Sequence, residues 1–210
     1  MNTDFLKSTL QKNHFSFPKE IEQQFIAYLA LLEKWNRVYN LTAIRDPNES
    51  VILHLVDSLV MNPYLHGERI IDVGTGAGLP GIPLALINPE KHFVLLDSNS
   101  KKIRFLTQVL HELKIPNIEI IHSRAEDFHP EKGFDSIVSR AFAAINVMLA
   151  ATHHLINADG QFLAMKGRFP EQELLDIPVG YEVIGVHKLV IHGLAAERHC
   201  VCIKEQTWAK

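Results

Sequence analysis

The feature that most constrains this fold is a glycine-rich loop between a short apolar strand and a helix. Residues 69–73 read Arg-Ile-Ile-Asp-Val, and the loop that follows carries Gly74, Gly76 and Gly78 before Leu79. Glycines let a backbone turn tightly and approach a ligand closely, and the helix that follows presents unpaired N–H groups. The segment therefore predicts a nucleotide-like cofactor at the carboxyl edge of a parallel sheet.

Apolar strands alternate with helices over the rest of the chain. We predict strands at 69–73, 92–97, 118–121, 134–139, 161–165, near 181–190 and at 199–203, and helices at 81–87, 99–113 and near 145–155. Continuous apolar strands separated by helices indicate a mostly parallel sheet with helices on both faces. The last two strands lack a long helix between them, so we expect an antiparallel hairpin at one edge. The predicted fold class is α/β, a Rossmann-like seven-stranded sheet of the class I methyltransferase type.

The first third of the chain is predicted to be a helical cap. From Pro18 onward, apolar residues recur at three- and four-residue steps, at Ile21, Phe25, Leu29, Leu32 and Trp35. A second helix begins with Asp46 as its N-cap and Pro47 in its first turn. The length of 210 residues fits one domain. We therefore predict a single domain over 1–210, with an N-terminal helical part at 1–66 and a Rossmann-like core at 67–210.

The residues around the glycine loop distinguish between possible cofactors. A dinucleotide site expects G-x-G-x-x-G/A and a P-loop expects G-x-x-x-x-G-K-[ST], and the sequence contains neither pattern here. Asp72 precedes Gly74 by two residues, where a carboxylate would repel a pyrophosphate but attract the ammonium of a methionine moiety. Asp97 ends the second predicted strand and is placed to bind a ribose diol. Together these residues favour S-adenosylmethionine, whose adenine we expect near the backbone of Ala125 and Glu126.

The residues after the fourth predicted strand bear on which atom accepts the methyl group. Transfer to an exocyclic amine commonly uses an Asn/Asp-Pro-Pro-aromatic motif, whereas residues 139–143 read Ser-Arg-Ala-Phe-Ala. Transfer to a pyrimidine carbon needs a cysteine nucleophile, and Cys200 and Cys202 are distant from this strand in sequence. Transfer to an oxygen needs a base or a metal. No metal cluster is recognisable, but a lone histidine base remains open. A ring nitrogen such as guanine N7 carries no proton and requires only positioning. We take Arg140 and Phe142 as candidates for positioning the base.

Several motifs, in order along nearly the whole chain, resemble one family. They are residues 40–44, 54–59, 72–85, 139–142, 166–167 and 197–199. The chain resembles the bacterial 16S rRNA guanine-N7 methyltransferases, known as small-subunit methyltransferase G and formerly as glucose-inhibited division protein B. The resemblance implies methylation of N7 of the guanosine at position 527 of 16S rRNA, with S-adenosylmethionine as donor.

The resemblance also suggests roles for individual residues. Residues expected to contact the cofactor are Gly74, Leu79, Ala125, Glu126 and Arg140. Residues expected on the RNA-facing side are Lys166, Arg168 and Arg198. We further expect His54 and Asp57, one helical turn apart, to pair and brace the helical part against the glycine loop.

The overall charge does not indicate a nucleic-acid-binding protein, because the formal net charge is −3 whereas such proteins are often strongly basic. We therefore expect the substrate to be a structured small-subunit ribosomal particle or assembly intermediate, recognised by a local basic surface. No apolar run approaches the length of a membrane helix and no signal peptide is recognisable, so we predict a cytoplasmic monomer. Two alternatives remain: a small-molecule methyltransferase with the same cofactor loop, and a non-catalytic S-adenosylmethionine-binding regulator.

Overall fold

The structure of the protein, a computed structural model, describes residues 3–140 and 143–206. The strands in this part of the chain are β1 (Arg69–Val73), β2 (His92–Asp97), β3 (Ile118–His122), β4 (Phe134–Arg140), β5 (Ile156–Lys166), β6 (Tyr181–Lys188) and β7 (His199–Glu205). The α-helices are α1 (Thr3–Lys12), α2 (Lys19–Tyr39), α3 (Pro47–Ser50), α4 (Asp57–Leu59), α5 (Gly81–Ile87), α6 (Ser100–Leu113), α7 (Ile145–Thr152) and α8 (Glu171–Leu175).

The strands form one sheet in the order β3-β2-β1-β4-β5-β7-β6. Strands β1 to β5 are parallel, and β7 lies antiparallel to both β5 and β6. The predicted mostly parallel sheet with an antiparallel edge hairpin is therefore confirmed. The chain leaves β1 toward β2 and β3 and then returns to β4 on the other side of β1. Such a switch in direction opens a crevice at the carboxyl ends of the strands, where ligands bind in open α/β sheets.

Each face of the sheet is covered by its own layer of apolar side chains. Successive residues of a strand point to opposite faces, so Ile70 and Ile71 of β1 belong to different core clusters. The Ile70 cluster contains residues from α1, α2, α5 and α6, and the Ile71 cluster contains the buried residues of α7. The N-terminal helices therefore pack on one face of the sheet, and Phe25 and Leu29 of α2 are buried there as their spacing predicts.

The helix that follows Asp46 begins as predicted but is irregular inside. The Asp46 carboxylate accepts hydrogen bonds from the backbone N–H groups of Asn48 (2.8 Å) and Glu49 (2.9 Å), and Pro47 opens the first turn. Between α3 and α4, residues Val51–Val56 form a π-helical segment, which the apolar spacing did not indicate. A π-helical turn is wider than an α-helical one and changes which side chains share a face.

Two other elements differ from the sequence-based prediction. Strand β5 begins at Ile156 rather than 161, although residues 157–160 (Asn-Ala-Asp-Gly) have the composition of a turn. A register shift opposite Phe134 and Ser136 accommodates this start, and a Cβ at Gly160 would crowd the Phe134 carbonyl oxygen. Helix α8 was not predicted because five residues are too short to show a periodic pattern.

Candidate functional site

Two cavities lie side by side at the carboxyl edge of the sheet. The first, of about 260 Å³, lies at the ends of β1, β2 and β3. Its lining residues are Gly74, Leu96, Asp97, Ser98, Lys102, Ser123, Arg124, Ala125 and Glu126. Four residues predicted to bind the cofactor are thus brought together here. Two carboxylates, Asp97 and Glu126, and two serines are among the lining residues, and such polar groups suit the recognition of a ribose and a base.

The second cavity, of about 510 Å³, lies at the ends of β4 and β5, beside the helical part. It is lined by Ile44, Leu53, His54, Asp57, Arg140, Met165, Lys166, Gly167 and Arg198. Asp72 of β1 pairs with Val138 of the adjacent strand β4. Two residues further along each strand direction lie Gly74, which lines the first cavity, and Arg140, which lines the second. The cavities are therefore neighbours across the β1–β4 boundary.

Asp97 fixes the glycine loop against the end of β2. One carboxylate oxygen accepts a hydrogen bond from the Gly76 N–H (2.9 Å), and the other accepts one from the Asn99 N–H (2.8 Å). The Lys102 ammonium lies 3.6 Å from the same carboxylate. The loop is thus held in place before any ligand arrives, while Asp97 still lines the first cavity.

Asp72 is buried directly beneath the loop and is only 1% exposed. Its Oδ2 accepts hydrogen bonds from the Thr75 hydroxyl (2.6 Å) and the Gly81 N–H (2.8 Å). Its Oδ1 has no hydrogen-bond partner among the described residues. Burial raises the pKa of Asp72 from 3.8 to about 6, against the lowering effect of the Thr75 and Gly81 hydrogen bonds. A buried carboxylate oxygen without a partner is suited to a cationic ligand group.

The three loop glycines all have positive φ angles, at 68° for Gly74, 63° for Gly76 and 87° for Gly78. A Cβ at Gly78 would overlap the Ile82 side chain, whereas a Cβ at Gly76 would meet nothing closer than 3.7 Å. The N–H groups of Gly78 and Leu79 both donate to the Thr75 carbonyl oxygen (3.0 and 2.9 Å). Gly78 and Leu79 therefore form the turn into α5, and their predicted contact with the cofactor stays a prediction.

Tyr28 of α2 also holds the loop, and the sequence did not reveal this role. Its hydroxyl donates a hydrogen bond of 2.7 Å to the Ala77 carbonyl oxygen, and its side chain is fully buried. Burial raises the pKa of Tyr28 above its ordinary value, so the hydroxyl remains a donor. Tyr28 follows Phe25 by three residues on the apolar face of α2, so from sequence it looks like any other core aromatic.

In the second cavity, Asp57 binds two arginines and does not pair with His54. Asp57, which is 3% exposed, accepts from Arg140 Nη1 (3.2 Å) and from Arg198 Nε (2.8 Å). Burial raises the pKa of Asp57, and the two guanidinium groups act in the opposite direction. Arg140 also donates to the Leu53 carbonyl oxygen at 3.1 Å. The arginines from β4 and from the loop before β7 are thus fixed by one residue of the helical part.

The predicted pairing of His54 with Asp57 is wrong. His54 Nε2 instead lies 3.0 Å from the Thr42 hydroxyl. Burial, together with the nearby Arg140 charge, lowers the pKa of His54 to about 4, so the imidazole is neutral at physiological pH and offers no ion pair. The two residues also lie where the π-helical segment passes into α4, so the α-helical spacing behind the prediction does not apply.

The Lys166 ammonium is engaged within the protein. It donates to Glu173 Oε2 (2.7 Å) on α8 and to the Ala143 carbonyl oxygen (2.9 Å). The same Glu173 oxygen accepts from the Ile145 N–H at 2.7 Å, at the start of α7. Glu173, which the sequence reasoning missed, therefore ties α8 to the loop that follows β4.

The remaining predicted RNA-binding or positioning residues differ in their surroundings. Arg168 is exposed and forms no salt bridge within residues 3–140 and 143–206, whereas Arg198 is bound to Asp57. Phe142, the second candidate for positioning the base, lies outside the described residues.

Three further observations concern metal binding, the two cysteines and membrane-spanning helices. Over the described part of the chain, no group of three or more His, Cys, Asp or Glu residues is arranged to hold a metal ion. Cys200 and Cys202 lie on the same face of β7, with their sulfur atoms 3.8 Å apart. None of the described helices is long and apolar enough to span a bilayer.

Comparison with known proteins identifies the family. A family model described as rRNA small subunit methyltransferase G matches residues 21–201. The Escherichia coli protein named ribosomal RNA small subunit methyltransferase G is 52% identical over 199 residues, which is 95% of this chain and 96% of that protein. The Shigella boydii protein of the same name is 54% identical over 183 residues, 87% of this chain and 88% of its own. The chain belongs to the rRNA small subunit methyltransferase G family.

Solved structures agree with this fold. The glycopeptide N-methyltransferase MtfA, complexed with S-adenosyl-L-methionine, has a TM-score of 0.64 at 10% identity and covers 73% of this chain and 88% of its own. An rRNA methylase from Streptococcus thermophilus has a TM-score of 0.51 at 12% identity, with 72% and 95% covered. At these identities the likeness supports the fold alone, and it confirms the class I methyltransferase prediction.

Membership in the methyltransferase G family confirms two interpretations drawn from the sequence. The protein is an S-adenosylmethionine-dependent methyltransferase, and it acts on ribosomal RNA. The residues that line the first cavity, together with Asp72 beneath the glycine loop, fit this cofactor. Asp72 offers an unpartnered carboxylate oxygen beneath the loop, and Asp97 lies at the end of β2, where the ribose of a nucleoside cofactor binds in such folds.

Proposed function

We propose that the protein transfers a methyl group from S-adenosylmethionine to N7 of the guanosine at position 527 of 16S rRNA. The observation that carries this proposal is the pair of neighbouring cavities at the β1–β4 boundary. One is lined by the residue types that bind a nucleoside, and the other holds two fixed guanidinium groups and has room for a nucleobase. A methyl donor in one cavity would thus face an acceptor base in the other.

On the cofactor side, we assign Asp72 by its unpartnered carboxylate oxygen beneath the glycine loop, and the other groups by their position in the first cavity. Asp72 receives the methionine ammonium at its unpartnered oxygen, and Asp97 accepts from the ribose hydroxyls. The backbone groups of Ala125 and Glu126, at the end of β3, hold the adenine. Gly74 allows the chain to approach the methionine moiety closely, because no side chain projects from it.

The chemistry requires little from the protein besides positioning. S-adenosylmethionine supplies a methyl group on a sulfonium centre, which the lone pair of guanine N7 attacks in line as the carbon–sulfur bond breaks. Guanine N7 carries no proton, so no general base is needed. This agrees with a second cavity whose one histidine, His54, is neutral and hydrogen-bonded to Thr42. The protein aligns the base and excludes water.

Arg140 and Arg198 are the residues we assign to the target nucleotide. Both are fixed by Asp57, so little side-chain entropy is lost when they bind RNA. A guanidinium group offers several N–H donors in one plane, which suits a phosphate or the O6 atom of guanine. We retain Phe142, two residues after the end of β4 in sequence, as the stacking partner of the target base, and Lys166 and Arg168 as neighbours of the RNA backbone.

We further propose that the substrate is a small-subunit ribosomal particle or assembly intermediate, which a monomer of this protein modifies in the cytoplasm. The net charge of −3 disfavours general affinity for RNA, whereas Arg140, Lys166 and Arg198 together line the second cavity. Such a protein should need RNA that is already folded to present one loop. Equal activity on short random RNAs and on intact particles would contradict this part of the proposal.

The experiment that tests the proposed function is the mapping of N7-methylguanosine in 16S rRNA from cells with and without the gene. We expect the modification at position 527 to disappear with the gene and to return with the wild-type copy. In the matched test, purified protein and S-adenosylmethionine should methylate particles from the deletion strain at that position. Methylation at another site or of another molecule, or cofactor binding without methylation, would refute it.

A further inference from the structure

Phe169 is an exposed aromatic residue at the rim of the second cavity. It lies on the loop between β5 and α8, two residues after Gly167, which lines that cavity. The residue is 53% exposed, although phenylalanine is among the residue types most often buried. Arg168 beside it is also exposed and has no ion-pair partner in the described part of the chain.

The structure holds the Phe169 ring in a defined place. The ring packs edge-to-face against His199, with ring centroids 5.6 Å apart and an interplanar angle of 85°. His199 is itself buried, and its Nδ1 lies 3.2 Å from the Gly167 carbonyl oxygen. The next residue, Pro170, is buried and restricts the backbone of Phe169 to extended conformations. An aromatic ring that is both exposed and fixed loses little freedom when a ligand stacks on it.

We propose that Phe169 is a stacking platform for a nucleobase that flanks the target guanosine, an inference that rests on the proposed function. Single-stranded RNA is recognised mainly by stacking its splayed bases on aromatic side chains. A nucleotide that enters the second cavity must be joined to neighbours that cross its rim, where Phe169 stands. Arg168 then lies beside the phosphate that links the two nucleotides.

The surroundings of Phe169 favour RNA over an apolar protein surface. The cationic side chains near Phe169 are Arg168, which is adjacent and exposed, and Lys166 and Arg198, which line the second cavity. Phe169 itself also lines a smaller cavity with Glu171 and Glu173, so its surroundings are charged rather than apolar. The other large exposed apolar residue of this segment, Leu175, is 76% exposed and lies at the end of α8, between acidic residues. Leu175 therefore offers a matched control: it is an exposed apolar side chain that lines the same small cavity as Phe169 but carries no ring.

The test compares Phe169→Ala, Phe169→Leu, Phe169→Trp and Leu175→Ala with the wild-type enzyme. Steady-state methylation of particles from the deletion strain gives KM and kcat, calorimetry gives S-adenosylmethionine affinity, and thermal melting reports folding. The known range for base–aromatic stacking corresponds to about a 5- to 150-fold change in affinity. We expect F169A and F169L to raise KM for particles within that range, with kcat and cofactor affinity changed less than about two-fold.

The other variants decide between explanations. F169W should remain within a few-fold of wild type, because it keeps an aromatic face, and L175A should match wild type. A wild-type KM for F169A would overturn the inference. A wild-type KM for F169L would also overturn it, because an apolar side chain without a ring would then suffice, as in contact with a ribosomal protein. If the wild-type enzyme itself leaves the particles unmethylated, the proposed function fails, which is a different result.

Discussion

The buried carboxylate of Asp72 leads to a prediction about both stability and cofactor binding. Burial raises its pKa from 3.8 to about 6, so the folded protein holds this proton more tightly than the unfolded chain does. The stability contribution of the protonated form is therefore fully present below about pH 4 and is lost as the pH rises through 6. Above pH 7, the ionised carboxylate costs the folded state about 3 kcal/mol relative to the unfolded chain.

The substitution Asp72→Asn removes this titration but keeps an acceptor oxygen for Thr75 and Gly81. The variant also leaves a buried amide N–H without a partner, which costs about 1–3 kcal/mol at every pH. Between about pH 4.5 and pH 8, ionisation of Asp72 should lower the free energy of unfolding of the wild type by about 2 kcal/mol, and the variant should lack this loss. Urea unfolding at the two pH values measures this difference. A stability difference that does not change with pH would refute the assignment of the raised pKa.

Cofactor binding should respond in the opposite direction. The Asn variant cannot attract an ammonium, so its affinity for S-adenosylmethionine at pH 8 should fall by about 10- to 150-fold, as expected for a lost charge-assisted hydrogen bond. Wild-type affinity should weaken as the pH falls below 6, and the variant should lack that dependence. Asp135→Asn is the control. Burial raises the pKa of Asp135, but hydrogen bonds from the Arg69 N–H, the Asn157 amide and the Glu68 N–H together outweigh burial and lower this pKa overall, so its pH dependence has the opposite sign. D135N should leave cofactor affinity unchanged.

Three further substitutions test the contacts around the two cavities. Tyr28→Phe removes the donor to the Ala77 carbonyl oxygen. We expect the free energy of unfolding in urea to fall by about 1–3 kcal/mol and cofactor binding to weaken. Wild-type values for both would contradict the role of this contact. Asp57→Asn leaves Arg198 without its buried counter-charge. We expect the free energy of unfolding to fall by about 3 kcal/mol or more, measured by thermal or urea unfolding. An unchanged melting temperature would contradict this prediction. Glu173→Gln keeps a hydrogen-bond acceptor for Lys166 but removes the negative charge. We expect kcat/KM on particles to fall about tenfold while cofactor affinity stays constant. An equal fall in cofactor affinity would show that Glu173 does not act through the second cavity alone.

The sequence predicts the core of this fold well because its local signals agree with one another. Strands β1 and β2 and helix α5 begin and end at the predicted residues. Each is a short apolar segment bounded by glycine, proline or a charged residue. The apolar pattern and the residues that end an element therefore indicate the same bounds. The first cavity follows from the same signals, since parallel strands bring Gly74, Asp97 and Ala125 to one edge whatever the details of packing.

The second cavity could not be predicted in the same way, because its contacts join residues far apart in sequence. Asp57 bonds to Arg140, 83 residues away, and to Arg198, 141 residues away. No local pattern distinguishes a carboxylate that binds two arginines from one that binds a neighbouring histidine. The π-helical segment before Asp57 also has no signature in apolar spacing, so the helical geometry assumed for that region was wrong.

The helical part therefore does more than cover one face of the sheet. Through Tyr28 it holds the loop of the first cavity, and through Asp57 it fixes the arginines of the second. Arg140 stands where the two cavities meet, because it ends β4 beside Gly74 and is bound to the helical part by both Asp57 and the Leu53 carbonyl oxygen. Any movement of this helical part relative to the sheet would therefore change the loop of the first cavity and the arginines of the second at the same time. If the proposed function holds, the packing of the N-terminal helices controls how the two cavities are aligned for methyl transfer.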